Sequence, residues 1–460
     1  MSDLHENVPW GDLKPGMEAE IRRLCRADDL FVFAHASGNH NPMHLPDEDG
    51  DGDGRSEAVA PSMWVGALVS AVLGNILPGP GTLYRSQTLR FVGRAHAGDE
   101  LRIRVCLIDK GPDRLARFET SVSHLDGRPI AEGEAEVLAP ATKQTFHPHE
   151  IPGLTVQRHV HFDRLLAEAE HHDPIPTAVI APEEEQALAG ALLAAQHTLI
   201  TPILVGCKES IEAVAAAGNH SLQGLQIIDE PDHRRAAAQG VAMVHEGTAR
   251  ALMKGHLHTD QLLREVLKRD GGLRSGRRIS HAFVMDVPGL SSLLIVTDAA
   301  INIAPDLDTK VDIVQNAIDL AHAVGIETPR AGILSAIETV NPKIQSTLDA
   351  AVLSKMADRG QIKGGLVDGP LAMDNAIDMQ AARTKGIHSL VAGQANILVV
   401  PNLEAGNMLA KELTFVAHAE AGGIVLGAKC PVILTSRADD DKARLASCAV
   451  AALYADHTQS

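Results

Sequence analysis

The stretch KCPVILTSRADDDKARL, residues 429–445, decides how the larger part of this chain is read. Its apolar run, 431–434, predicts a buried strand, and Thr435, Ser436 and Arg437 stand at that strand's carboxyl end. Asp439, Asp440 and Asp441 then open an amphipathic helix, acid lying where a helix N-terminus favours it. A hydroxyl and a guanidinium between a strand end and a helix start can bind an anion and orient acyl or phosphoryl chemistry. A plain strand-to-helix turn with a solvated arginine and acidic caps draws on the same residue types.

Outward from this stretch the same alternation continues. Apolar runs at 200–205, 282–287, 292–297, 331–335 and 397–400 read as strands, with amphipathic helices between them. One such helix is 309–324, where Val311, Val314, Ile318 and Ala321 fall at helical spacing. The pattern predicts a parallel α/β sheet with ligands at the strand carboxyl ends. About 300 residues is large for a single core, so two lobes around a cleft are expected.

Before residue 150 the pattern is different. Residues 60–77 are almost wholly apolar and predict a helix buried on most sides. Leu101, Ile103, Val105 and Leu107 alternate with Arg102, Arg104 and Cys106, the period of a half-buried strand. A further strand is read at 114–125, and Asp126-Gly127 turns it into another at 130–138. A central apolar helix wrapped by a curved antiparallel sheet is a hotdog-like α+β layout. The proline-rich seam between the two patterns reads as a linker.

Composition narrows the function classes. The chain has 460 residues and a formal charge of −18, from 59 acidic and 41 basic side chains. That sign argues against nucleic acid or an anionic membrane as the main partner, so an anionic substrate needs a local basic pocket. Five scattered cysteines without a CxxC predict neither a disulfide framework nor a cysteine zinc site. The histidine pairs His147/His149, His159/His161 and His256/His258 lack a third ligand at zinc spacing, so no metal is expected. The acidic run DEDGDGDG, residues 47–54, fails as a calcium loop because Ala58 stands where a bidentate acid is required. With no signal peptide and no uninterrupted apolar span, a cytoplasmic protein is expected.

Two resemblances follow from particular motifs. Ser37-Gly-Asn39-His-Asn-Pro-Met-His44, with the apolar helix and residues 79–93, resembles the MaoC-like (R)-specific enoyl-CoA hydratases, hotdog proteins, over residues 15–140. In that family an aspartate and a histidine hold the water that adds across the double bond. Here Asn39 occupies the aspartate position and has no titratable acceptor, while His44 remains. Ala60-Pro-Ser-Met63 replaces the family's Ala-His-Gly-Met, so the resemblance implies a degenerate hydratase. A genuinely bifunctional hydratase and acyltransferase, and an acyl-CoA-binding regulator, are the alternatives.

Residues 155–458, beyond a linker at 141–154, resemble the phosphate acetyl/butyryltransferase family. The matches are ALMKGHLHT (251–259), RRISH (277–281), TDAAINIAP (297–305), DGPLAMD (368–374), PNLEAGN (401–407) and TSR (435–437). The resemblance implies a two-lobed α/β domain of the isocitrate dehydrogenase-like type. The reaction it implies is exchange of a short acyl group, acetyl first, between coenzyme A and inorganic phosphate. It places Ser436 and Arg437 at the thioester, with Asp441 the nearest candidate base for the CoA thiol. It assigns Arg264, Lys254 and Arg278 to phosphate, with Arg277 a further candidate, and Asn402 and Asn407 to CoA. It implies no tightly bound cofactor, small-molecule partners only, and a homo-oligomer.

Overall fold

The computed structural model describes residues 5–45, 58–146, 154, 156, 158–434 and 440–458. It divides into two compact units, Met1–Val156 and Gln157–Ser460.

In the first unit the predicted apolar helix is Ser62–Asn75, with Trp64, Val65, Val69, Val72 and Leu73 buried. It lies against an antiparallel sheet whose order is Glu18–Leu24, Glu100–Lys110, Leu115–His124, Pro129–Leu138 and Leu83–Gln87, with Arg90–Phe91 also paired to Pro129–Leu138. Leu101, Ile103, Val105 and Leu107 point into the shared core with Phe118 and Val122, as their alternation requires. Each such side chain contributes about 1.5–3 kcal/mol on burial. Gly127 takes φ +89° at the predicted hairpin. Thr145–Phe146, inside the expected linker, pairs with His5–Glu6. The acidic run 47–54 and the His147/His149 pair lie outside the described residues.

The second unit is built on one eleven-stranded sheet. Its order is Gln226–Asp229, Ile200–Gly206, Ile175–Ile180, Ala251–Lys254, Val432–Ile433, Glu420–Leu426, Ser280–Asp286, Leu294–Thr297, Ile397–Val399, Arg330–Leu334 and Leu366–Leu371. The first five strands are mutually parallel, and so are the last four. The expectation of a wholly parallel sheet is corrected at its centre, where Glu420–Leu426 and Ser280–Asp286 make three antiparallel pairings. Three reversals leave the two parallel halves running in opposite directions.

Helices cover both faces. On one, Leu307–Ala323 and Asp441–His457 belong to a single core that runs across both halves. On the other, the cores are separate: one under His233–His245 and Thr259–Val266, the other under Met373–Ile377, Met379–Thr384 and Leu403–Phe415. The two lobes are therefore divided on one face only, over the antiparallel centre. Helix Asp441–His457 lies close to that centre because its contact face is alanine. A Cβ on Gly422 would stand 3.1 Å from the backbone of Ala446.

Candidate functional site

One row of paired residues crosses the sheet: Met253, Ile433, Ile424, Ala282, Thr297 and Val399. The chain leaves the first half one residue beyond this row, at Lys254 and Leu434. It leaves the second half one residue beyond it in the opposite direction, at Asp298 and Val400. Loops from both lobes thus start within a residue of the same line, on either side of Ser280–Asp286. Register brings the matched motifs together although their strands run in opposite directions.

On the first lobe, Gly255 N–H donates to Ile180 O (2.8 Å) and His256 N–H to Ala181 O (2.6 Å), which ties the 255–258 loop to the neighbouring strand end. A side chain on Gly255 would meet Ala181 O at 2.4 Å. Lys254 is half-buried, and its ammonium donates to the carbonyls of Gly255 (3.1 Å) and Leu257 (3.4 Å). Arg264, on helix Thr259–Val266, is 66% exposed and faces Asp260 across 3.7 Å. Arg278 is exposed, and its N–H donates to the Asp312 carboxylate. The Arg277 guanidinium is taken up by Asp319 (2.5 Å) and Asn316 on helix Leu307–Ala323, on the face away from the interlobe division. The structure does not bring Arg277 to the other candidates.

On the second lobe, Asp298 is buried, and its carboxylate organises the loop. Oδ1 accepts from the N–H groups of Ala300 (2.9 Å) and Ile301 (3.0 Å). Oδ2 accepts from Asn302 N–H (3.1 Å) and from the Asn302 side-chain amide (2.5 Å), which also donates to Ile279 O (2.9 Å). Four donors fix this anion, so its role is to hold the loop's shape. Asn402 caps helix Leu403–Phe415, accepting from Ala405 N–H at 2.9 Å. Asn407 lies within that helix, in its second turn.

Ser436 and Arg437, with Thr435 and Asp439, lie outside the described residues. Around them, Leu434 precedes the gap and Asp440 follows it. Asp440 is the helix N-cap, accepting from Ala443 N–H at 2.9 Å. Asp441 is 74% exposed in the first turn, 3.5 Å from the Arg444 guanidinium.

Sequence reading passed over what lies between these loops. His281 and Phe283 point to the divided face and meet edge-to-face, with ring centroids 4.4 Å apart. His281 is 3% exposed, and its Nδ1 has no hydrogen-bond partner. Burial pushes its pKa down to about 4, against the opposing pull of Asp298, so the ring is neutral near pH 7. Beside them Gly423 carries no side chain. A Cβ there would lie 3.2 Å from His281 Nε2, 3.2 Å from Leu434 O and 3.5 Å from Phe283 Cε1. The available signal was a lone histidine inside an apolar strand, SHAFVM, and a Gly-Gly pair inside another.

In the first unit, Asn39 is exposed, and its Oδ1 accepts from Asn41 N–H (3.3 Å). His44 Nδ1–H donates to Val59 O (2.7 Å), which leaves Nε2 as the acceptor. Among the described residues no group of side chains could hold a metal ion, and no helix is long and apolar enough to cross a membrane.

Comparison with known proteins agrees with this geometry. The family model described as Phosphate acetyl/butaryl transferase matches residues 231–452, and that of the MaoC like domain matches residues 12–126. The chain is 60% identical over 294 residues to a phosphate acetyltransferase of Rhizobium meliloti, covering 64% of this chain and 93% of the relative. It is 43% identical over 294 residues to a phosphate butyryltransferase of Clostridium beijerinckii, covering 64% and 97%. Among solved structures, a branched-chain phosphotransacylase from Enterococcus faecalis V583 superposes with a TM-score of 0.54 at 30% identity, over 61% of this chain and 99% of that one. The chain belongs to the phosphate acetyl/butyryltransferase family, a family of acyltransferases, and carries a MaoC-like hotdog domain ahead of its transferase part.

Proposed function

We propose that the chain transfers a short acyl group, acetyl in the first instance, between coenzyme A and inorganic phosphate. The observation that carries this is the 60% identity that extends over 93% of a phosphate acetyltransferase. The convergence of Lys254, Leu434 and Asp298 on one row of the sheet supports a shared site. The transferase part comprises residues 155–458 and the hotdog part residues 15–140, joined by 141–154.

In the forward direction a phosphate oxygen attacks the thioester carbon, and the carbonyl π pair moves onto oxygen. The oxyanion then collapses, the C–S bond breaks, and acyl phosphate and the CoA thiolate separate. Arg437 and Ser436 stabilise the oxyanion and the departing sulfur, charge that appears only along the reaction path. Asp441 exchanges the proton of the CoA thiol. Its high exposure and its place one residue after the committed cap Asp440 leave it available for that task. Arg264, Lys254 and Arg278 supply the local positive charge for phosphate that a chain of net charge −18 otherwise lacks. Asn402 and Asn407 line the CoA side from helix Leu403–Phe415. The substrates meet directly, so the reaction needs no tightly bound cofactor and no enzyme nucleophile.

The hotdog domain is a degenerate hydratase. Asn39 is engaged in its own loop and cannot accept the water proton, so His44 stands without its acid partner. The enzyme is a cytoplasmic homo-oligomer. In support, the edge strand Leu83–Gln87 exposes Leu83 (65%) and Tyr84, and helix Leu403–Phe415 exposes Met408 and Phe415 (71%). The test is release of free thiol from acetyl-CoA with and without inorganic phosphate. Release that depends on phosphate supports the reading, and release indifferent to phosphate overturns it.

A further inference from the structure

On the face of the second unit that carries the continuous core, a cavity of about 640 Å³ opens where helices end. It is bordered by His172, just past helix Val160–Glu170, by the end of Leu307–Ala323 and by the last turn of Asp441–His457. None of the residues assigned above to acyl transfer lines it. Helix Asp441–His457 has 17 residues, so the cavity lies about 25 Å along the helix axis from Asp441.

The lining is part apolar and part polar. Leu165, Leu293 and Leu453 are buried and belong to the core beneath. The side chains of Arg164, Ser291 and Ser292 also line the cavity, and among the described residues they make no hydrogen bond or ion pair within the protein. The neighbouring acids are already engaged. Asp456 takes the Arg250 guanidinium at 2.6 Å and His172 at 3.0 Å. Glu168 stands one helical turn from Arg164, at the spacing of an ion pair, yet it lies beside His172 instead, 3.8 Å away. Arg164 is therefore an uncommitted cation at the edge of an apolar wall. His322 is held by its hydrogen bond to Gly364 O (2.7 Å), and His457 stacks alongside it with ring centroids 6.4 Å apart, which gives the cavity a flat flank.

A ligand that matches this lining brings one negative charge and an apolar body. A purely apolar ligand would strip water from the guanidinium and the two hydroxyls without replacing its hydrogen bonds. A dianion such as a phosphate monoester finds no second lysine or arginine in the lining, and the carbonyl ends of the helices oppose further negative charge. We propose that this cavity binds a small organic monocarboxylate, with its carboxylate on the Arg164 fork and the Ser291 and Ser292 hydroxyls and its apolar body on Leu165, Leu293 and Leu453. The site is separate from the acyl-transfer site and does not rest on that reading.

The experiment is isothermal titration calorimetry of the full chain at pH 7.5 with sodium hexanoate, sodium acetate and 1-hexanol, repeated for Arg164→Gln. Arg164 is exposed on its helix and glutamine is a good helix former, so the variant keeps the fold. Hexanoate is expected to bind saturably, one per chain. Each buried methylene strengthens binding about fourfold, so acetate should bind at least tenfold more weakly than hexanoate. Hexanol, which lacks the charge, should also bind at least tenfold more weakly, and Arg164→Gln should raise the hexanoate Kd at least tenfold. A hexanoate Kd that holds within twofold in the presence of saturating acetyl-CoA, without phosphate, supports a site apart from both CoA-related sites. No saturable hexanoate binding, a Kd raised less than threefold by Arg164→Gln, or displacement of hexanoate by acetyl-CoA overturns the proposal and leaves the transferase reading intact.

Discussion

Lowering the pH should weaken the centre of the second unit through one residue, His281. Its ring is 3% exposed, and burial depresses its pKa to about 4, with Asp298 opposing the shift. In the unfolded chain the same ring titrates near 6.5. The neutral form is thus favoured by folding, and its stabilisation is complete above pH 6.5. As pH falls below 6.5 the unfolded chain takes up the proton first, and stability drains away until the folded ring also protonates near pH 4. A group with these two values contributes about 2 kcal/mol of destabilisation between pH 7.5 and 5.0, and about 3 kcal/mol once both states are protonated. For a unit of this size about 2 kcal/mol corresponds to about 4 °C in Tm. The assay is calorimetric Tm of the full chain at pH 7.5 and 5.0, for wild type and His281→Asn. Other histidines and carboxylates titrate in both proteins and cancel in the difference. Wild type should lose about 4 °C more than the variant over this interval, whatever their offset at pH 7.5. Parallel losses, within about 1 °C, would show that His281 takes up its proton over the same pH range folded and unfolded, and would refute the burial-depressed pKa.

Arg437→Ala should reduce kcat for acyl transfer about a hundredfold or more with Tm unchanged, because it removes a donor to charge that develops in the transition state. Activity within about threefold of wild type would remove Arg437 from the reaction. Arg264→Ala should raise the KM for phosphate more than that for acetyl-CoA, since its solvated guanidinium is held only loosely by the exposed Asp260, 3.7 Å away. An unchanged phosphate KM returns Arg264 to the surface. The full chain should hydrate crotonyl-CoA little or not at all, measured as loss of the enoyl absorbance, and Asn39→Asp should raise that rate only if the rest of the site persists. Robust hydration by the unmodified chain, abolished by His44→Ala, would make the protein a two-activity enzyme.

The α/β character of the second unit was legible because residues such as Ile200, Leu204, Ile295, Ile333 and Ile397 sit in short apolar runs between amphipathic helices. The antiparallel centre was not, because alternation does not report direction. One signal was present: only seven residues, 287–293, join Ser280–Asp286 to Leu294–Thr297, too few for a crossover helix. Strand Glu420–Leu426 was missed for a physical reason. Gly422 and Gly423 depress its strand propensity, yet one lies against a helix and the other packs closely against His281 and Leu434, so tertiary packing overrides local preference. The motif positions of Lys254, Asp298 and Asn402 could be quoted from the chain, but their convergence depends on a register that no single segment contains. Arg277 illustrates the converse. Its position in RRISH matched a cation, and only the fold reveals that Asp319 holds it on the other face.

In the proposed reaction the acyl group passes from the sulfur of coenzyme A to phosphate oxygen. Phosphorus-31 NMR of the full chain with acetyl-CoA and inorganic phosphate observes the bond itself. Such transfer gives a growing acyl phosphate resonance matched by loss of inorganic phosphate and by equal release of free thiol. Thiol released with no acyl phosphate resonance, or an unchanged spectrum from active-site-intact protein, would contradict it.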